Sequence, residues 1–285
     1  MMDTRRYTIG LVLLGVTLIT VALVVRLVVF GDEMTTLTEP VSQQFSTNDS
    51  PQIVVETFDG AIDVKAGGAD QVAVTVVRKG SGLTESAAFD ALGKVEVRMT
   101  QEGDTVRVRA WPEEVSPKFS SSGASVEMTV PAGSALLLMT SNGRVRTGGV
   151  VGEIIVHTSN GPILLSGVSS AVAATTSNGA VEITAVAPVS VSVETSNGNV
   201  SFTGSLANGA ASRFVTSNAS IRLALAAEAA YSIDARTTNG SITNDFPLVG
   251  GVQSKTRLLG DAPGNVPYAV LRAETTNGKI EVRRK

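Results

Sequence analysis

Four residues, Thr-Ser-Asn-Gly, recur at near-constant spacing through the second half of this chain. That recurrence restricts the fold more than any other feature. They occur in "LLLMTSNGRVRT", "HTSNGPILL", "TTSNGAVEI" and "ETSNGNVSF", and more loosely in "VTSNASIRL", "RTTNGSITN" and "ETTNGKIEV". The asparagines are Asn142, Asn160, Asn178, Asn197, Asn218, Asn239 and Asn277, so the steps are 18, 18, 19, 21, 21 and 38 residues. A period near twenty, with strand-like segments on both sides, is the mark of a solenoid, in which each repeat buries its apolar face only against its neighbours. The step of 38 leaves room for one degenerate turn.

Side-chain parity shows how each repeat is built. With Asn as position zero, −6 and −4 are mostly apolar: Leu136 and Leu138, Ile154 and Val156, Val172 and Ala174, Val191 and Val193, Ile233 and Ala235, Leu271 and Ala273. Position −2 is always Thr, +3 is Val or Ile, and +5 is mostly apolar, as in Leu165, Ile183, Phe202, Leu223 and Val282. Strand side chains alternate with period two. The parity therefore slips by one at the motif, and two apolar faces meet one core around a corner. Gly is expected to supply a positive φ at the slip. Thr and Asn are expected to point inward, with buried Asn amides bonded from turn to turn, as buried amides require. On this reading Asn160 and Asn178 are structural, and Ser at −1 points out.

The rule extends upstream. In "QIVVETFDGAIDV", Asp59 takes the Asn place, Ile53, Val55 and Thr57 precede it, and Ile62 and Val64 follow. Between this rung and the repeats lie a helix over 84–92, capped by Thr84 and ended by Gly93, and a hairpin turning at 102–104. They are expected to cap a sticky solenoid end. Residues 244–268 read as a loop or irregular hairpin. The expected fold is all-β: a parallel β-solenoid (β-helix) of 18–21-residue turns, with a small helix and hairpin insertion near its N-terminal end and one N-terminal transmembrane helix. The solenoid domain is placed at 51–285, with clean repeats over 134–243 and the last repeat over 269–283.

The transmembrane expectation rests on residues 7–30. The run "IGLVLLGVTLITVALVV" carries no charge and resumes after Arg26 as "LVVF". At ~1.5 Å rise per residue, a helix of that length spans a hydrocarbon core of about 30 Å. Arg5 and Arg6 precede it and Asp32 and Glu33 follow, so the positive-inside rule puts residues 1–6 in the cytoplasm and the C-terminal domain outside a single-pass cell membrane anchor. The rival, a cleaved signal peptide, has a shorter apolar core and a small-residue cleavage site. Residues 31–50, polar and without periodicity, read as a tether.

Residues 51–285 resemble the putative-adhesin β-solenoid family of bacterial surface proteins, a domain of otherwise unknown function. The resemblance is carried by "VEMTVPAGSALLLMTSNGRVRTGG", by the serial "TSNG", and by the helix followed by "VEVRMTQEGDTVRV". It implies the solenoid fold and a cell-surface binding role, and carries over no catalytic residue.

Composition removes most other functions. There is no cysteine and one histidine, His157, so neither a disulfide framework nor a histidine metal cluster is available. His157 sits at −3, an outward position. Setting aside Arg5, Arg6, Arg26 and Asp3, the exported part has 20 basic and 25 acidic residues, near −5, which disfavours nucleic acid. The glycines sit at β corners rather than opening helices, so no phosphate loop is present. The acids Glu153, Glu182, Glu194, Asp234, Glu274 and Glu281 are scattered over different columns. No catalytic, cofactor-binding or metal residues are assigned, no cofactor is expected, and the chain is not read as an enzyme. The expected function is a membrane-anchored, extracytoplasmic binding or adhesion module. The alternative is a sensing accessory that acts through a membrane partner; a polysaccharide-active enzyme or a mere spacer ranks lower. Expected partners are membrane lipid through the anchor, a cell-surface glycan or envelope protein, and other copies of the chain.

Overall fold

The computed structural model describes residues 20–21, 34–113, 120–263 and 268–285. Two twelve-stranded sheets enclose one apolar core. The back sheet collects strands that lead into a corner: Ala135–Thr140, Ile154–Thr158, Val172–Thr175, Val191–Glu194 and Ala211–Val215. The front sheet collects strands that leave it: Val145–Gly148, Ile163–Val168, Val181–Val189, Val200–Leu206 and Ile221–Leu225. Neighbouring strands are parallel and in register, so Ile154 lies between Leu136 and Val172, and Ile163 between Val145 and Val181. The columns expected inside are inside: Leu138, Val156, Val193 and Phe214 on the back sheet, and Ile163, Ile183, Phe202 and Leu223 on the front, are all buried. Branched side chains fill this narrow core because they pack well on a pleated surface. Phe202 and Phe214 meet across it at 5.6 Å between ring centroids.

The order of rungs in space differs from their order in sequence at both ends. The last repeat, Ala269–Thr275 with Ile280–Arg284, does not stack on the end. It lies between the Asn218 rung and the Asn239 rung, with Leu271 paired to both Ser212 and Ile233, and Ile280 to both Ile221 and Ile242. The step of 38 residues therefore hides no degenerate turn. Residues within it form a hairpin, Val249–Gln253 with Arg257–Ala262, whose second strand runs antiparallel beside Tyr231–Thr237.

The other end is a mirror of this arrangement. Gln52–Glu56 and Ile62–Ala66 lie between the Asn142 rung and a rung made from Thr105–Pro112 and Ser120–Val130. Beyond it the pairing turns antiparallel, with Gln71–Gly82 and Thr35–Ser46 on the front and Val95–Glu102 on the back. The expected hairpin turns at Gly103, with φ +58°. The expected helix is Glu85–Gly93, capped by the Thr84 hydroxyl, which accepts from the Ala87 amide at 3.2 Å.

One expectation near the N-terminus changes, and a second lies largely outside the described residues. Residues 31–50 are not simply a tether, because Thr35–Ser46 is a strand paired over its whole length with Gln71–Gly82. Its sequence lacks clean alternation, and only Leu37 and Phe45 are buried. The ladder of backbone hydrogen bonds decides the conformation where side-chain pattern does not. The anchor over 7–30 lies outside the described residues except for Thr20–Val21. Those two residues are extended, not helical, and pair with Ser42 and Val41 on the open edge of Thr35–Ser46. Among the described residues no helix is long and apolar enough to cross a membrane.

Candidate functional surface

The corner is built from three columns, and each does something different. Thr at −2 is buried and donates its hydroxyl to the carbonyl after the corner of the adjacent rung: Thr140 to Gly60 at 3.0 Å, Thr158 to Gly143 at 3.3 Å, Thr176 to Gly161 at 3.2 Å, Thr216 to Gly198 at 3.0 Å. In two rungs the same hydroxyl also accepts from its own Gly amide, Gly179 at 3.2 Å and Gly198 at 3.3 Å. A buried hydroxyl that both donates and accepts is fully satisfied.

Asn at zero is exposed, not inward, in every repeat. The slip in parity falls between Thr and Gly, so both intervening residues, Ser and Asn, point out. The ladder itself exists on the surface. Asn160 donates to Asn142 at 2.6 Å, Asn178 to Asn160 and Asn197 to Asn178 at 2.7 Å, Asn218 to Asn197 at 2.8 Å, Asn277 to Asn218 and Asn239 to Asn277 at 2.7 Å. Asn142 donates to Asp59, which closes the ladder with a carboxylate. With seven steps at ~4.8 Å the ladder runs about 34 Å.

Gly at +1 is not there for a positive φ. None of Gly143, Gly161, Gly179, Gly198, Gly240 or Gly278 has one. A Cβ on Gly161 would lie 1.8 Å from the Gly143 carbonyl oxygen, and one on Gly179 would lie 1.8 Å from that of Gly161. The glycine column lets backbones stack at a spacing no side chain permits. Counting inward residues on each side of the motif could have exposed this, because Gly shares parity with the buried +3 and +5 positions.

Outside the Asn ladder runs the −1 row. Ser141, Ser159, Ser177, Ser196 and Ser217 are exposed, and among the described residues their hydroxyls have no hydrogen-bond partner. Charge gathers at the two ends of the stack. On the front, Arg144 bonds Asp63 at 3.2 Å, while Arg222 and Arg283 both reach Glu281 at 3.1 Å. On the back, Arg272 bonds Glu274 at 2.7 Å and Arg236 bonds Asp234 at 2.6 Å. The Arg236 guanidinium holds the Asp234 carboxyl below its usual range. Asp63 and Glu281 lie on the front sheet, Asp234 and Glu274 on adjacent strands of the back, and each is paired with an arginine. His157 is exposed between Met139 and Thr175. Among the described residues no three metal-binding side chains converge. A shallow basin of about 320 Å³ on the front sheet is lined by Asp63, Lys65, Thr75, Glu127 and Arg146, with charges of both signs.

An in-register parallel stack with corner ladders defines a parallel β-solenoid. The chain belongs to the Toastrack DUF4097 family, whose model matches residues 51–213. No curated protein matches the sequence. Solved structures include a "putative cell adhesion protein" from Clostridium sporogenes, at 10% identity and TM-score 0.38, over 87% of this chain and 100% of that one. Another is a "putative adhesin" from Bacteroides fragilis, at 11% identity and TM-score 0.39, over 87% of this chain and 97% of that one.

Proposed function

We propose that the protein is a non-catalytic binding module of the bacterial envelope whose ligand is a neutral cell-surface glycan held along the serine row. The observation that carries this reading is the row itself. Five serine hydroxyls stand in register without partners among the described residues, beside amides that each keep a spare N–H and a spare lone pair. Hydroxyl-rich ligands are bound by such directional donors and acceptors, and many weak contacts on one rigid rail add as avidity. The apolar run over 7–30, with Arg5 and Arg6 before it, supports attachment to the membrane with the solenoid outside, in a state in which Thr20–Val21 leave the edge of Thr35–Ser46. Binding of the full-length protein to purified cell-wall polysaccharide tests the reading. A Ser159→Ala, Ser177→Ala, Ser196→Ala triple variant removes three unpaired hydroxyls and should keep its stability but lose affinity roughly tenfold or more, the worth of a few hydrogen bonds of ordinary net strength. Unchanged affinity rejects the serine row. Release of the protein from membranes by alkaline carbonate rejects the anchor, independently of glycan binding.

A further inference from the structure

The sequence contains seven Asn-Gly dipeptides, at Asn142, Asn160, Asn178, Asn197, Asn208, Asn239 and Asn277. Asn-Gly is the dipeptide in which an asparagine side chain is most easily lost, because Gly puts no side chain in the way of ring closure. Six of the seven belong to the ladder. The seventh, Asn208, sits in the turn between Val200–Leu206 and Ala211–Val215. We propose that Asn208 is a site of spontaneous deamidation in the folded protein, and that the corner ladder shields the other six.

The step balances without any enzyme. The Gly amide nitrogen loses its proton to solvent base and attacks the Asn Cγ. The new C–N bond closes a succinimide ring, the Cγ–Nδ2 bond breaks, and ammonia leaves with a solvent proton. Water then opens the ring to aspartate or isoaspartate. The reaction needs a side chain free to swing towards the backbone and a Gly nitrogen that water can reach.

The ladder denies both. Asn160, Asn178 and Asn197 each donate one amide bond and accept another at 2.6–2.8 Å. Their Gly161, Gly179 and Gly198 are buried, and the last two amides already donate to Thr hydroxyls. At Asn208 the opposite holds. Asn208 and Gly209 are both exposed, and among the described residues the Asn208 side chain has no hydrogen-bond partner. Gly209 has φ +72°, and its amide donates to the Tyr268 carbonyl at 3.2 Å, one exposed bond that must open. Asn239 is intermediate. It is the end of the ladder, donates to Asn277 but accepts from no other ladder amide, and its Gly240 is half-buried.

The test is peptide mapping by mass spectrometry after incubation of the intact, full-length protein at mildly alkaline pH, beside the same protein in urea. In the folded protein Asn208 should convert fastest, Asn239 next, and Asn160, Asn178 and Asn197 slower than Asn208 by roughly tenfold or more, the protection two ordinary hydrogen bonds give. In urea the seven rates should converge. An Asn208→Gln variant should lose the fast component and keep the rest. Ladder asparagines converting as fast as Asn208 in the folded protein would overturn the proposal. So would an intact Asn208 after a time in which the unfolded chain has converted.

Discussion

At the corner, Gly and Asn look equally regular in sequence, yet the structure gives them unequal weight. Asn178 makes two ladder hydrogen bonds in contact with solvent, whereas Gly179 sits where a Cβ would come within 1.8 Å of a carbonyl oxygen. Asn178→Ala should therefore cost about 1 kcal/mol, the net worth of exposed hydrogen bonds. Gly179→Ala should cost roughly 2–3 kcal/mol or more, because two rungs must part or shift. Urea denaturation of the two variants checks the order, and an Asn178→Ala loss larger than the Gly179→Ala loss contradicts it. Thr147 offers the reverse case. It takes the +5 place in the core between Val64 and Leu165, and its buried hydroxyl has no partner. Thr147→Val keeps the shape and removes an unpaired polar atom, so it should leave stability unchanged or raise it by up to about 1 kcal/mol. A clear fall in the denaturation midpoint would show that the hydroxyl has a partner after all.

The strands at the two ends carry features that the regular ones lack. Tyr231–Thr237 holds the Asp234–Arg236 pair on its outer face and the Tyr231 ring within. Burial pushes the Tyr231 hydroxyl far above its usual range, and its oxygen lies 3.3 Å from Asn244 Oδ1. Asp234 has a depressed pKa, so its contribution is present above the unfolded value and is lost as pH falls through the folded one. The pair is largely solvated, and Asp234→Asn should change stability near neutral pH by less than about 0.5 kcal/mol. The difference from the parent should vanish in acid, and thermal melts at neutral and acid pH measure it. A difference that grows in acid contradicts the sign. The hairpin strand Val249–Gln253 forms the open back edge, and Gly250 at φ +67° with a register shift between Val249 and Val252 bends that edge away from flat pairing. Bulged edges of this kind resist pairing with another chain.

Considered as a single body, the solenoid stacks its rungs out of sequence order near both ends. The C-terminal repeat supplies the acceptors for the Thr216 and Ile221 amides, through Glu274 and Lys279, and also carries the Asn239 rung. Deletion of residues 269–285 should therefore strip hydrogen-exchange protection from Thr216, Ile221 and Tyr231–Thr237 together, while the Asn160 rung stays protected, since stability in a solenoid is passed between nearest neighbours. Retained protection at Thr216 would mean the Asn239 rung can stack there directly.

Much of this architecture is legible along the chain. The two-residue alternation of Leu136 and Leu138 or Ile163 and Leu165, together with Thr at −2, specifies strand, corner and strand from local pattern, because burial of one face leaves only one register. Three things were not legible. The direction of Asn142 and its equivalents depends on which residue of the corner absorbs the slip in parity. The need for Gly143 depends on how closely a neighbouring backbone approaches. The placement of the Asn277 rung inside the Asn239 rung depends on which partner each edge finds. "TTNGSI" and "TTNGKI" have near-identical local preferences. Their order in the stack is set by long-range pairing, about which the local pattern of a strand carries no information.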